Sequence, residues 1–193
     1  FYGMGASLSR QLGPDEMRVL PAPSSVSLAA ARMGWALQEV EVITIHGRPL
    51  SLLNRALHDK ARLLVLSEDG FSATHVAELL TKQGFGPSRI TVFEHLGGAK
   101  ERRRDGMASN WQEGETAALN LLAIACIAGP EAKPLSTLAG LPDDAFQNDG
   151  QLTKREIRAV TLSALAPRRG ELLWDVGAGA GSVGIEWMLA EPS

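Results

Sequence analysis

From Met17 onward, short β-branched apolar runs alternate with stretches of helical spacing, the rhythm of an α/β sheet. Val40 to Ile45, Ala61 to Leu66 and Arg89 to Phe93 predict strands. Between them, Ser25 to Leu37, Leu50 to His58 and Ala73 to Lys82 carry apolar residues at helical intervals, which predicts helices. Ser24 or Ser25 predicts an N-cap, and Gly84 a helix stop. Leu119 to Ile127 is nearly all apolar; it fits a buried strand or a helix, because periodicity does not separate the two.

The pattern then breaks. Gly129 to Pro134 and Gly140 to Asp144 interrupt regular structure repeatedly, as clustered Gly and Pro do. This predicts one domain over residues 1–128, a linker over 129–150 and a second domain over 151–193. In the second, Thr153 predicts the cap of a helix reaching about Ala166, with Ile157, Val160, Ala164 and Leu165 inward and Pro167 and Gly170 ending it. Leu172 to Val176 predicts a strand running into a glycine-rich turn, and Ser182 to Ala190 a following helix.

Composition narrows the class. The chain has 193 residues, 45% hydrophobic and 21% charged, the balance of an ordinary globular protein. A net charge of -3 gives no general attraction to nucleic acid or to an anionic membrane. The longest apolar run, Ala117 to Ala128, contains Asn120 and is too short to span a bilayer. Cys126 stands alone in that run, so it reads as core packing, and no disulfide framework follows. His46, His58, His75 and His95 show no compact ligand spacing, and no metal site is expected. The cytoplasm is the expected compartment.

The glycine turn carries the sharpest chemistry. Alternate glycines permit tight turning and close ligand approach, and the helix behind them favours polar or anionic groups at its start. Gly179-Ala180-Gly181-Ser182-Val183-Gly184 reads as G-x-G-x-x-G, the dinucleotide fingerprint. The frame Asp175-x-Gly177-x-Gly179-x-Gly181 instead resembles the S-adenosylmethionine (SAM) loop of Rossmann-like methyltransferases. A turn that binds neither is the plain alternative. About a dozen residues follow Gly181, fewer than a doubly wound sheet requires, and Phe1 is no natural start. The chain therefore reads as the middle of a longer protein.

In the first domain, strand ends lead into Pro21 to Ser25, His46-Gly47-Arg48, Ser67 to Gly70 and Glu94 to Gly98. Open α/β sheets bind ligands beyond the carboxyl ends of their strands, so these loops should share one face. In order and spacing they resemble the carboxy-terminal half of the tetrapyrrole methylase family. Phe1-Tyr2-Gly3 matches residues just after that family's Gly-Asp-Pro loop. Val19 to Ser27 resembles its Pro-Gly-x-Ser-Ser segment with Ala22 for glycine, and Glu94-His95-Leu96-Gly97 its Glu-Asn-Leu-Gly turn with His95 for asparagine. The resemblance implies that SAM is bordered by Phe1, Ser24, Ser25, Ser67, Glu68, Asp69 and Leu96.

Downstream, Gly140 to Phe146, Thr153 to Arg158 and the Asp175 loop resemble the start of the C15-methylating, decarboxylating subunits of cobalamin synthesis. The implied fold is α/β: the carboxy-terminal lobe of a tetrapyrrole methylase, then the start of a Rossmann-like SAM-dependent methyltransferase domain. The implied activity is methylation of C5 and C15 of a precorrin macrocycle with decarboxylation of its C12 acetate, and the implied state is a homo-oligomer. Thr153, Asp175, Gly177, Ala178, Gly179, Ala180 and Gly181 would hold the second SAM. A carboxylate-rich substrate suits cations, which makes Arg102 and Arg103, and Lys154, Arg155 and Arg158, candidate substrate contacts. The last three stand near a helix start, against the dipole preference. No catalytic residue is assigned. Other readings are a nicotinamide or flavin oxidoreductase, using the Gly179 to Gly184 frame, and a non-catalytic binding module.

Overall fold

The computed structural model describes residues 4–112, 114–136 and 138–190. A short helix, α1 (Met4–Leu8), precedes the helix α2 (Ser25–Met33). Ser24 caps α2, its Oγ accepting the Ser27 N–H at 3.2 Å. Gly34, at φ +65°, closes it, so the helix ends four residues before the expected Leu37. Leu37–Glu39 forms a separate 3₁₀ turn.

Strand β1 (Glu41–Thr44) follows, then a 3₁₀ segment at Leu50–Ala56 where an α-helix was expected. Strand β2 (Arg62–Leu66), helix α3 (Ser72–Lys82) and strand β3 (Arg89–Glu94) stand where the apolar pattern puts them. Strand β4 (Arg102–Met107) is formed by Arg-Arg-Arg-Asp-Gly-Met, a segment whose charge hides it from the apolar pattern. The ambiguous run resolves as strand β5 (Asn120–Ala125).

These strands make one sheet in the order β1-β2-β5-β3-β4. β1 and β2 are parallel, whereas β5 runs antiparallel to both β2 and β3, and β4 antiparallel to β3. Leu64 and Thr91 both face Ala123 in register. β5 is covered on both faces, so its side chains are apolar without alternation. The thicker core packs Ile43, Leu63, Val65, Ile90, Val92, Leu122 and Ile124 against Val76, Leu80 and Phe85. Cys126 belongs to this core, and burial pushes its thiol up to about 12 with a smaller push from Asp59. The opposite face is thinner: Leu64, Phe93, Leu121 and Ala123 meet Ala29 and Ala30 of α2.

Beyond the sheet, the Gly129 N–H donates to the Gly84 oxygen at 2.8 Å. Gly84 sits at φ +81°, and a Cβ on it would lie 2.5 Å from Ala132 backbone; glycine serves both the turn and the approach. Helices α4 (Arg155–Leu165) and α5 (Ser182–Ala190) complete the described chain. Three expectations for this region are corrected. Lys154, not Thr153, is the cap residue of α4, with no side-chain bond. The inward residues of α4 are Arg158 and Leu162, while Ile157, Val160, Ala164 and Leu165 are exposed. Leu172 to Val176 forms no strand: among the described residues no neighbouring strand pairs with it, and Leu172, Trp174 and Val176 are exposed. A lone extended segment has no ladder to satisfy its backbone groups.

Candidate functional site

Five segments meet over the thinner face of the sheet. They enclose a cleft of about 460 Å³ lined by Ser24, Ser25, Val26, Thr44, His46, Leu66, Ser67, Phe93, Leu96 and Leu119 to Leu121. Thr44, Leu66 and the residues after Phe93 mark the carboxyl ends of β1, β2 and β3, where α/β sheets place ligands.

Each wall has an identifiable anchor. The loop after β2 is shaped by Ser72, whose Oγ accepts the Glu68 and Asp69 N–H groups at 3.1 and 3.0 Å. Asp69 Oδ1 accepts from Phe71 N and Ser72 Oγ, an Asx turn that starts α3. Asn120 ties this loop to the one before β5, its Nδ2 donating to the oxygens of Asp69 and Ala117 at 2.9 and 2.8 Å.

The turn after β3 places His95 at φ +47° and Gly97 at φ +82°. Asn and His are among the residues that tolerate the left-handed region, so His95 suits the position where the resembling turn has asparagine. Glu101 holds this turn through the Gly97 N–H at 2.8 Å and grips Arg32 of α2 through Nε at 2.9 Å. The Arg32 hydrogen bond, aided by that N–H, keeps the Glu101 carboxyl below its ordinary range. This pair fastens α2, with Ser24 and Ser25 at its start, to the turn bearing Leu96.

Among the described residues, two polar atoms at this cleft are buried without a hydrogen-bond partner: Ser67 Oγ and Asn120 Oδ1. Such atoms carry a desolvation cost unless something pairs with them. Apolar walls with a few convergent polar atoms are the makeup of a small-molecule site.

The cleft gathers Ser24, Ser25, Ser67 and Leu96 of the residues expected to border a cofactor. Glu68 and Asp69 do not line it; they face a smaller cavity with Arg48 and His75. Phe1 lies outside the described residues. Thr44, His46 and Asn120 are added, and the polar Asn120 interrupting an apolar run is the sequence signal for it. Glu94 was also missed as an anchor. Nearly buried, it pairs with Arg104 at 3.2 Å and accepts the Ala117 N–H at 2.7 Å.

Arg102 and Arg103 lie on edge strand β4, away from this cleft. Arg102 stands 3.8 Å from Glu94. Arg103 makes two 2.8 Å bonds to Asp105 and stacks over Phe93.

In the second region, Gly177, Gly179 and Gly181 all adopt positive φ, at +75°, +56° and +68°. The loop turns directly into α5, and the Ile185 N–H bonds the Gly181 oxygen at 2.8 Å. A Cβ on Gly177 or Gly179 would meet nothing within 4 Å. Glycine is required there for backbone conformation, rather than to avoid a collision within the chain. Asp175 rests against the helix start, its Oδ2 3.0 Å from where a Gly184 Cβ would be. Thr153 is not part of this loop; its oxygen accepts from Arg158.

Arg158 corrects another expectation. Its side chain is fully buried, bonded to Glu186 and Asp143 at 2.7 Å each, to the oxygens of Thr153 and Leu141, and stacked 4.6 Å over the Phe146 ring. A guanidinium so enclosed and so engaged is not placed to grip a substrate. Burial opposes its charge, but Glu186 and Asp143 hold its pKa above the ordinary value. Lys154 is exposed, 3.8 Å from Asp143.

The model of the tetrapyrrole (corrin/porphyrin) methylases matches residues 1–110. The chain belongs to the tetrapyrrole methylase family. A second model, of the precorrin methyltransferase domain, matches residues 144–193, so two methylase-type segments lie in tandem along the chain. A precorrin-6Y C(5,15)-methyltransferase (decarboxylating) from Sinorhizobium sp is 53% identical over all of this chain and 47% of its own length. The enzyme of the same name from Mycobacterium tuberculosis (strain CDC 1551 / Oshkosh) is 42% identical over 99% of this chain and 47% of its own. The chain thus spans about half the length of these relatives. Among solved structures, the cobalamin-biosynthesis precorrin-6Y methylase of Archaeoglobus fulgidus aligns with 64% of this chain and 56% of its own, at 27% identity and a TM-score of 0.42.

Proposed function

We propose that this chain is part of a bifunctional SAM-dependent methyltransferase of cobalamin synthesis. It methylates C5 and C15 of a precorrin macrocycle and decarboxylates the C12 acetate. The observation that carries the reading is the cleft at the strand ends, with Ser67 Oγ and Asn120 Oδ1 buried and unpartnered, in a tetrapyrrole methylase chain that continues into a precorrin methyltransferase segment.

The cofactor supplies an electrophilic methyl on a sulfonium sulfur, so the hard chemistry is its own. What remains for the protein is binding, alignment and exclusion of water. Ser67 and Asn120 supply polar partners, and Ser24 and Ser25 add hydroxyls at the start of α2. Val26, Leu66, Phe93, Leu96 and Leu121 would cover apolar surface of the cofactor and exclude water. The Arg32–Glu101 pair fixes the distance between the two sides. In the second segment, Asp175, Gly177, Ala178, Gly179, Ala180 and Gly181 would hold the cofactor for C15 methylation, with Asp175 as a binding carboxylate. The enzyme works as a cytoplasmic homo-oligomer.

Calorimetric titration of the intact protein tests the proposal. SAM or its demethylated product binds, and NAD does not compete. Tight NAD binding with no response to SAM overturns the reading.

A further inference from the structure

A second cavity, of about 500 Å³, lies where the sheet meets the linker. One side comes from the first segment: Asn54, Leu57, Gln83 and Phe85. The other comes from residues 133–136, 140–142, Asp144, Ala145 and Arg155. Neither the cofactor cleft nor the glycine loop shares a residue with it.

The lining has a definite chemistry. Leu57, Phe85 and Leu141 are buried and give an apolar floor. Lys133 and Arg155 stand on its rim as cations, with no ion pair to either among the described residues. Their neighbours Lys154 and Arg158 are both drawn to Asp143, which leaves Arg155 the uncommitted cation of that cluster. Among the described residues, Asp144 is the single carboxylate in the lining. The cavity therefore offers two cations against one anion over an apolar floor.

We infer that this cavity is a docking site for a carboxylate-bearing arm of a flat apolar polyacid, gripped by Lys133 and Arg155 at the seam between the two methylase-type segments. The inference rests on the proposed function for the identity of that polyacid as a tetrapyrrole. A macrocycle that must visit two methylation sites on one protein gains from a holding point between them, because a tethered ligand is kept at high effective concentration. Fork-shaped Arg155 suits a carboxylate, and Lys133 adds a point charge.

Uroporphyrin, a fluorescent tetrapyrrole octacarboxylate, is the probe, titrated into the intact protein with SAM affinity measured separately. The K133Q/R155Q variant weakens uroporphyrin binding about tenfold for each charge-assisted hydrogen bond it removes. Asn54→Asp, which sets a negative charge in the wall, also weakens it, and Asp144→Asn tightens it. SAM affinity stays within about twofold of wild type in all three, since none lines a cofactor site. Uroporphyrin affinity unchanged across the three variants overturns the docking site, whatever SAM does. Failure of SAM to bind the wild type overturns the methyltransferase reading alone, and the uroporphyrin pattern then still decides the cavity. If the double variant does not fold, the opposite signs expected of Asn54→Asp and Asp144→Asn remain the deciding readout.

Discussion

Arg158 Nε donates to Glu186 Oε1 at 2.7 Å, and both side chains are shut away from solvent. The same carboxylate accepts the Gly140 and Leu141 N–H groups. One ion pair therefore joins α4, α5 and the segment before them. The residue directly ahead of α5 is Gly181, so the pair also sets where the glycine loop stands.

Removing one member of this pair strands a buried charge, which costs about 3–5 kcal/mol. Arg158→Ala should lower the unfolding free energy of the intact protein by that amount in urea titration. Arg158→Met with Glu186→Leu should recover part of it, limited by the backbone groups at Gly140, Leu141 and Thr153 that lose their partners. A loss under about 1 kcal/mol for the single variant would show that the pair is not buried in solution.

Ser67 separates binding from folding. Its Oγ has no partner among the described residues, so Ser67→Ala should leave the melting temperature unchanged. SAM affinity at the first site should fall by about 0.5–1.5 kcal/mol, the net value of a neutral hydrogen bond. Calorimetry and thermal melting together check this; a lower melting point with full affinity would mean that the hydroxyl serves the fold.

Gly179 separates conformation from space. It sits at φ +56° with nothing within 4 Å of a Cβ. Gly179→Asn should keep much of the second site's SAM binding, because Asn accepts the left-handed region. Gly179→Val should abolish it and, with it, C15 methylation, while C5 methylation persists. Equal tolerance of Asn and Val would remove backbone conformation as the requirement.

The Arg158 hydrogen bond holds the Asp143 carboxyl below its ordinary value of 3.8. A carboxyl with a depressed folded pKa adds stability that is complete above the unfolded pKa and is lost as pH falls through the folded one. Wild type should therefore exceed Asp143→Asn in stability from neutral pH down to about pH 4. Below that the gap should close as Asp143 protonates. Denaturant midpoints measured across that range check the sign; a gap that widens in acid contradicts it.

How much of this the residues disclose depends on whether the cause is local. β2 and β3 announce themselves because buried strands need apolar side chains on both faces, and α3 because its apolar positions repeat at helical spacing. Ser24 at the head of α2 is legible for the same reason: a cap acts within three residues. β4 is not legible, since its strand character comes from pairing with β3 and its arginines are balanced by Glu94 and Asp105. Nor is the burial of Arg158, whose justification lies 28 residues away at Glu186. The candidate cleft is half visible. Ser24, Ser25, Ser67 and Leu96 stand in loops at strand ends, whereas Asn120 reaches it only because β5 lies between β2 and β3. Ile157 and Val160 mislead, because the helical pattern that suggested an inward face is turned outward by the guanidinium packed beneath it.

The position of β5 bears on how the sheet can be assembled. β2 and β3 never touch as a ladder; each pairs with β5 instead. Without residues 120–125 the ladder divides into two ribbons, β1 with β2 and β3 with β4, with no strand to join them. Exposed edges invite pairing with other chains, and long-range strand pairing is slow. Insertion of β5 joins the ribbons and covers both edges in one event. The same insertion delivers Asn120 to the cleft, so the protein cannot complete that cleft until its sheet is whole.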